Sequence, residues 1–171
     1  ELVNAVCPVG ELSDRNKAII ISNGELLSST IICFVMNAKG IRTNFIDARK
    51  MMITSNEYLK AEPDVNEIIS RVPGMIDESF KGMDAVITQG FIGSNHSGEQ
   101  TVLGRGGSDY SASLIGMAID AERIEIWTDV DGFMTADPKV IKTAYTINEL
   151  SYIEAMELCN FGAKVIYPPT I

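Results

Sequence analysis

Histidine and cysteine are scarce in this sequence, and their scarcity excludes several kinds of site. The single histidine, His96, leaves a transition-metal site without a second imidazole, and Cys7, Cys33 and Cys159 are far apart with no Cys-x-x-Cys pair. An odd number of widely spaced thiols does not form the framework of a disulfide-rich domain. We therefore expect three buried, reduced thiols and a histidine that lies in solvent.

Positive charge and long apolar runs are scarce as well. Lysine and arginine number 14 against 23 acidic residues, which gives a net charge of -9. Nucleic-acid binding requires a basic face that meets the phosphates, so no nucleic-acid partner is expected. We also expect no apolar run long enough to span a bilayer and no signal peptide at the start of the chain. These absences predict a cytoplasmic protein without a membrane partner.

What the sequence does have is enough apolar material for a core, since 46% of its 171 residues are hydrophobic. We expect one domain over residues 1–171, with strands and helices in alternation. Residues 18–22 are a short β-branched run that predicts a strand ending in a turn at Asn23-Gly24. Helical spacing follows over residues 25–39, and residues 41–47 return to the pattern of a strand.

The same alternation continues toward the C-terminus. Residues 64–81 fit one helix, but Pro73-Gly74 favours a short strand followed by a helix. Residues 85–88 predict a strand. Ser108 and Asp109 are good N-caps for a helix that follows them in the chain. The remaining predicted elements are a strand over 124–127 and a helix over 152–160. This order predicts an α/β fold with a mostly parallel sheet, in which ligands bind beyond the carboxyl ends of the strands.

A glycine-rich loop, residues 104–109, falls at such a strand end. Its sequence is neither the dinucleotide fingerprint nor a Walker loop. Adjacent glycines still allow backbone N–H groups to approach an anion at a helix start, and Arg105 offers a two-pronged guanidinium for a carboxylate or phosphate. The residues alone leave two interpretations open, an anion site or a capped turn with a solvated arginine.

Other strand ends carry polar residues with similar ambiguity. Glu25 follows the predicted turn, where it either meets a ligand's ammonium group or complements a helix dipole from the first turn. Thr128-Asp129 closes a predicted strand and is placed for a ribose or nucleobase. Residues 137–139 are typical of a turn, and residues 162–164 of a helix end with a cation.

Taken together, these loops resemble the aspartokinase family. The motifs that carry the resemblance occur in family order: GELLSST at 24–30, DAR at 47–49, TQGFIGS at 88–94, LGRGGSDYSA at 103–112, WTDVDG at 127–132, TADP at 135–138, EAMEL at 154–158 and FGAKVIYP at 161–168. The family's N-terminal Lys-Phe-Gly-Gly-Thr-Ser motif is not among them. The resemblance therefore implies the larger, C-terminal part of an aspartokinase catalytic domain.

The resemblance implies an amino-acid-kinase fold, a three-layer α/β/α sandwich, here incomplete at its N-terminus. The implied reaction moves the γ-phosphoryl group of ATP, with Mg²⁺, to the β-carboxylate of L-aspartate, as the first step toward lysine, threonine and methionine. The implied protein is a homo-oligomer, and the C-terminal motifs are more similar to those of enzymes fused to homoserine dehydrogenase.

The resemblance also assigns residue roles. Glu25 and the stretch Arg105, Gly106, Gly107 and Ser108 are implied to bind the substrate, with Arg105 and Asp109 at the phosphoryl-transfer centre. The residues implied to line the ATP site are Thr128, Asp129, Met134, Lys139, Lys164 and Val165. Met134 stands where the family usually has tyrosine, and Lys139 where it usually has arginine.

The chemistry of the residues agrees with these roles. A carboxylate nucleophile is ionised at neutral pH, since its ordinary pKa is about 4, so no general base is needed and the missing catalytic histidine is expected. Two alternatives remain: another kinase of the same fold, acting on glutamate, acetylglutamate or a nucleoside monophosphate, and an inactive nucleotide-binding or assembly module. We expect the 171-residue chain by itself to show little kinase activity.

Overall fold

A computed structural model describes residues 12–137, 139–161 and 165–171 of the chain. The elements are α1 Asp14–Ala38, β1 Thr43–Ile46, a 3₁₀ turn at Ala48–Lys50, β2 Ile53–Thr54, α2 Val65–Phe80, β3 Ala85–Thr88, β4 Ile92–Asn95, β5 Gln100–Val102, α3 Gly107–Ala118, α4 Tyr152–Asn160 and a 3₁₀ turn at Pro168–Thr170. From α1 to α3, helices alternate with groups of two or three strands, which confirms the predicted α/β class.

The described strands form two small sheets. β1 pairs with β3 in parallel, with Thr43 opposite Ala85, and β2 pairs with β4 in parallel. Only β4 and β5 are antiparallel, because a short hairpin joins them. The mostly parallel pairing is as predicted, and the predicted strands at 41–47 and 85–88 are β1 and β3.

Two apolar clusters hold the helices and the two sheets together. The larger one joins α2, α3 and the strands through buried side chains: Ile46, Met51, Met52, Ile68, Val72, Leu103 and Leu114. The smaller one places Ala18 of α1 against Ala48, Ile92 and Val102. Both clusters lie next to the loops that follow β3 and β5, so these loops have a rigid support.

α1 is a single helix of 25 residues, and the predicted strand at 18–22 with a turn at Asn23-Gly24 is wrong. Ser13 caps the helix by accepting the N–H of Asn16. The side chains of Ser22 and Asn23 donate to the carbonyl groups of Ala18 and Ile19, one turn earlier, at 2.5 and 2.8 Å. Serine and asparagine are common in turns because their side chains can hydrogen-bond to nearby backbone groups there. In α1 the same side chains bond to carbonyl groups of the helix, and the helix continues.

The length of α1 also corrects the expectation about apolar runs. A helix of 25 residues is about 37 Å long, and α1 is apolar enough to cross a membrane by length and composition. The sequence-based expectation missed it because the segment was divided at Gly24. Within the described residues α1 packs against strands of both sheets through small or polar side chains, Ala18, Ser22 and Ser29. Length and composition alone do not distinguish a membrane span from a helix of a globular domain.

α2 is also continuous, so the favoured strand over the first part of residues 64–81 is wrong and the single-helix alternative is correct. Asp64 caps α2 by accepting the N–H of Glu67 at 3.1 Å. Pro73 lies inside the helix, where it removes one backbone hydrogen bond. Ile68 and Val72 are fully buried on the face toward the core, and this burial outweighs the cost of Pro73.

We expect Gly74→Ala to stabilise the protein. Gly74 lies in the interior of α2, and a methyl group there meets nothing within 4 Å. Alanine should raise the free energy of unfolding by about 0.5–1 kcal/mol because it loses less backbone freedom than glycine on forming a helix. Urea unfolding measures the change. A decrease in stability would contradict the continuous helix.

The C-terminal part differs from the prediction at one strand. Residues 124–127 have no regular secondary structure, although Ile124 packs over Gly116 of α3. The predicted helix at 152–160 is confirmed as α4, which begins with a capping box between Ser151 and Glu154. Cys33 and Cys159 are free and half-buried.

Candidate functional site

The glycine-rich loop leads directly into α3. Gly104 and Gly106 have φ of 79° and 72°, in the left-handed region that glycine enters without strain. Gly106 itself occupies the N-cap position, so the prediction that Ser108 or Asp109 caps the helix is wrong by two to three residues. The carbonyl of Gly106 accepts the N–H of Tyr110 at 3.1 Å. The loop is therefore a backbone turn rather than a side-chain cap.

This geometry exposes the groups that an anion needs. Arg105 and Ser108 are exposed, and Asp109 is half-buried in the first turn of α3. The first N–H groups of a helix have no acceptor within it, and the helix dipole adds partial positive charge at that end. The N–H of Gly107 already donates to the carbonyl of Gly104 at 3.1 Å. The exposed side chains of Arg105 and Ser108 and the remaining N–H groups of the first turn form a donor-rich surface, which favours the anion-site interpretation left open by the sequence.

The loop after β3 packs against the glycine-rich loop. A methyl group on Gly90 would lie 2.9 Å from the Cα of Ser108, so the two backbones are in contact. The neighbouring Phe91 has φ of 69°, which is uncommon for a bulky residue. Its N–H donates to the buried Ser111 hydroxyl at 3.0 Å, and its carbonyl accepts the N–H of Leu103 at 2.9 Å.

A left-handed backbone at a bulky residue such as Phe91 is typical of functional sites, and it favours assigning this second loop to the candidate site. The motif at residues 88–94 predicts no role for Gly90 or Phe91 from the sequence alone. The signal was present, because a Gln-Gly pair directly after a strand of a parallel sheet falls at the ligand edge. Contact with Ser108 could not be inferred from spacing, since the two residues are far apart in the chain.

Glu25 lies in the middle of α1, half-exposed, rather than at a strand end or in a first helical turn. Both local explanations offered for it are therefore wrong about its position. Its backbone carbonyl accepts the Ser29 hydroxyl at 2.6 Å, and Ser29 in turn accepts Nε2 of Gln89 at 3.0 Å. Gln89 immediately precedes Gly90, so this chain of hydrogen bonds connects the Glu25 turn to the site loops.

The 3₁₀ turn after β1 joins the same network. Ala48 donates its N–H to Oε1 of Gln89 at 2.8 Å. Next to it, the Arg49 guanidinium bonds to both carboxylate oxygens of Asp47 and holds the pKa of that carboxyl below its ordinary value. Arg49 is thus engaged within its own turn and with Gln100, at 2.9 Å.

The C-terminal segment covers the start of α3. Tyr167 lies against Gly106, where a Cβ would collide with its side chain, and its ring makes an edge contact with Tyr110 at a centroid distance of 6.1 Å. Ser113 donates to the carbonyl of Thr170 at 2.7 Å. Val165 is half-buried in this segment, and Lys164 lies outside the described residues.

The other residues assigned to ATP lie on a separate stretch. Thr128 and Asp129 are exposed and bond to each other at 3.2 Å. Met134 is half-buried and forms an isolated antiparallel β-bridge with Thr146. The N–H of Lys139 donates to the Asp137 carboxylate at 2.8 Å, as in the predicted turn. In the described ranges no hydrogen bond joins these residues to the glycine-rich loop. Their role stays a prediction.

Comparison with known proteins establishes the family. The profile of the amino acid kinase family matches residues 9–171, and the chain therefore belongs to this family. It is 40% identical over 153 residues to lysine-sensitive aspartokinase 3 of Escherichia coli K12, covering 89% of this chain and 34% of the relative. It is 42% identical over 161 residues to an aspartokinase of Chlamydia pneumoniae, covering 94% and 36%.

Solved structures give the same result for the fold. E. coli aspartokinase III, crystallised with aspartate and ADP, has a TM-score of 0.86 and 38% identity, and the match covers 92% of this chain and 35% of that one. The predicted amino-acid-kinase fold and the resemblance to aspartokinases are confirmed. The chain spans about a third of the length of these relatives.

Proposed function

We propose that the protein carrying this chain is an aspartate kinase, which transfers the γ-phosphoryl group of ATP to the β-carboxylate of L-aspartate. The observation that carries the proposal is the contact between the two site loops, at Gly90 and Ser108, in front of the N-terminus of α3. The names of the relatives, and the aspartate and ADP in the E. coli crystal structure, support the choice of substrates.

The donor-rich surface suits a dicarboxylate. The exposed guanidinium of Arg105 suits a two-pronged ion pair with one carboxylate of the substrate, and the exposed hydroxyl of Ser108 suits a hydrogen bond to the same substrate. Glu25 offers an acidic partner for the substrate's ammonium group. The attacking β-carboxylate needs no base, so catalysis consists of bringing two anions together in line and neutralising their repulsion.

ATP and Mg²⁺ complete the proposal. Within the described residues no three histidine, cysteine, aspartate or glutamate side chains converge. Mg²⁺ does not require such a cage, because it commonly binds to one or two carboxylates, waters and the phosphates of the substrate. Asp109, at the end of the glycine-rich loop and in the first turn of α3, fits as a single carboxylate of this kind. The ion, when bound, would reduce the negative charge that the β-carboxylate approaches.

We assign Thr128, Asp129, Met134, Lys139, Lys164 and Val165 to the ATP side of the site, on the family motifs that contain them. We also propose that residues 1–171 belong to a single catalytic domain, and that the protein is a cytoplasmic homo-oligomer without a membrane partner. The family profile over residues 9–171 supports the domain assignment.

A substrate comparison tests the proposed function. The protein is expressed from its complete reading frame and given ATP with L-aspartate, L-glutamate, N-acetylglutamate or UMP in separate assays of ADP release. We expect ADP release with L-aspartate, and trapping of the product by hydroxylamine as an acyl hydroxamate. Preference for another acceptor would assign the protein to a different kinase of the same fold, and binding of ATP without any transfer would indicate an inactive module.

A further inference from the structure

Gln89 is the most deeply buried amide near the site, with 2% of its surface exposed. It accepts the N–H of Ala48 through Oε1 at 2.8 Å and donates from Nε2 to the Ser29 hydroxyl at 3.0 Å. Ser29 donates its single hydrogen to the carbonyl of Glu25 at 2.6 Å. Only one orientation of the amide fits, because a backbone N–H needs an oxygen and the Ser29 lone pair needs an N–H.

This link joins the elements that carry the proposed substrate groups. One end is the turn of α1 that presents Glu25, and the other is the backbone next to Gly90, which touches Ser108. A second buried bond continues the connection, because the N–H of Phe91 donates to Ser111 and Ser111 donates to the carbonyl of Gly107 at 2.7 Å. Three buried side chains, Ser29, Gln89 and Ser111, thus connect the Glu25 turn, the Gly90 loop and the glycine-rich loop.

We infer that Gln89 is a positioning residue, which sets the distance between Glu25 and the Arg105–Ser108 surface through its bond to Ser29. The inference rests on the proposed function for the identity of the substrate, but not for the geometry of the link. A buried amide that is hydrogen-bonded through both its oxygen and its nitrogen holds its partners in one arrangement, and loss of the amide leaves those buried partners unsatisfied. A site of this kind responds strongly to small displacements.

The kinetic test uses the protein from its complete reading frame with Gln89→Met, which keeps the volume and removes both bonds. We expect KM for L-aspartate to rise about 10–100-fold, the range that a misplacement near 1 Å causes. KM for ATP should stay within about twofold. Most of the residues assigned to ATP lie on the separate stretch 128–139, and Lys164 lies outside the described residues. Ser29→Ala should also raise KM for L-aspartate. The double variant should have a KM for L-aspartate no higher than that of Gln89→Met alone.

The matched control is Thr54→Val. Thr54 and Thr101 are fully buried and share a hydroxyl bond of 2.8 Å between β2 and β5, and the Thr54 hydroxyl also donates to the carbonyl of Ser55 at 3.0 Å. This variant therefore loses two hydrogen bonds, as Gln89→Met does. It should lower Tm without changing KM for L-aspartate. Equal changes in both KM values for Gln89→Met, additive effects of the two substitutions, or a matching KM change in Thr54→Val would overturn the inference.

Amide hydrogen exchange separates this inference from the proposed function. Gln89→Met should increase exchange in residues 24–30 and 89–92 together, and Thr54→Val should increase neither. Faster exchange in both segments, in a protein that does not phosphorylate L-aspartate, would retain the link and reject the proposed substrate. Unchanged exchange in either segment would overturn the link, whatever the substrate.

Discussion

Replacing Arg105 with alanine is expected to lower kcat/KM for L-aspartate by about 10²–10³-fold, with little change in stability. The arginine is the exposed cation next to the two left-handed glycines at the start of α3. A charged anchor that pairs with a substrate carboxylate contributes about 2–5 kcal/mol, and each 1.4 kcal/mol is a factor of ten. Because its side chain lies in solvent, its removal leaves no cavity and no orphaned buried group.

Steady-state kinetics and a thermal melt of the same preparation check this result. Arg71→Ala is the matched control, because Arg71 is also an exposed arginine, paired with Glu67 along α2 and outside the two site loops. It should retain kcat/KM within about twofold, since surface pairs of this kind contribute less than about 1 kcal/mol. Arg105→Lys should recover only part of the activity, because an ammonium group cannot form the two-pronged contact. Normal kcat/KM in Arg105→Ala would remove this residue from the site.

Periodicity predicted β1, β3, α3 and α4, but it did not predict β2, β4 or β5, and its strand at residues 124–127 is not observed. In α1 and α2 it failed because a residue that occurs in both turns and helices was given the wrong role. Gly24 and Asn23 are common in turns, but in α1 the Asn23 amide bonds to a carbonyl one turn earlier and the helix continues. Pro73 was given the role of a breaker, yet Ile68 and Val72 on the buried face keep α2 intact. At Pro73 tertiary burial overrode the local preference, whereas at Asn23-Gly24 a side-chain hydrogen bond within the helix did so.

Part of the candidate site could be predicted from the order of strands, loops and helices along the chain. Ligands bind beyond the carboxyl ends of parallel strands, and the Gln-Gly pair at residues 89–90 follows one such strand, β3. The glycine-rich loop follows β5, which is antiparallel to β4, and it was recognised by its glycines, its arginine and the helix start behind it. The contacts of Gly106 with Tyr167, and of Gln89 with Ser29 and Ala48, join distant parts of the chain. Such contacts depend on packing that no local pattern encodes.

Gly106→Ala is expected to have the second large effect, on both stability and activity. Gly106 has φ of 72°, a conformation that costs a residue with a Cβ about 1–2 kcal/mol. Its new methyl group would also collide with the Tyr167 side chain, which packs on Tyr110. Overpacking of this kind adds about 1–3 kcal/mol or displaces the loop. We expect a lower free energy of unfolding and a fall in kcat/KM of about 100-fold.

Gly82→Ala provides the matched comparison, because Gly82 has nearly the same φ, 73°, and a methyl group there meets nothing within 4 Å. It should show the conformational cost alone, with kcat/KM unchanged. Urea unfolding and steady-state kinetics of both variants separate the two contributions. If the variants were equally destabilised and equally active, the contact between Gly106 and Tyr167 would have no part in holding the glycine-rich loop. A larger loss in Gly106→Ala, relieved by Tyr167→Ala in the same chain, would show that this contact sets the position of Arg105 and Ser108.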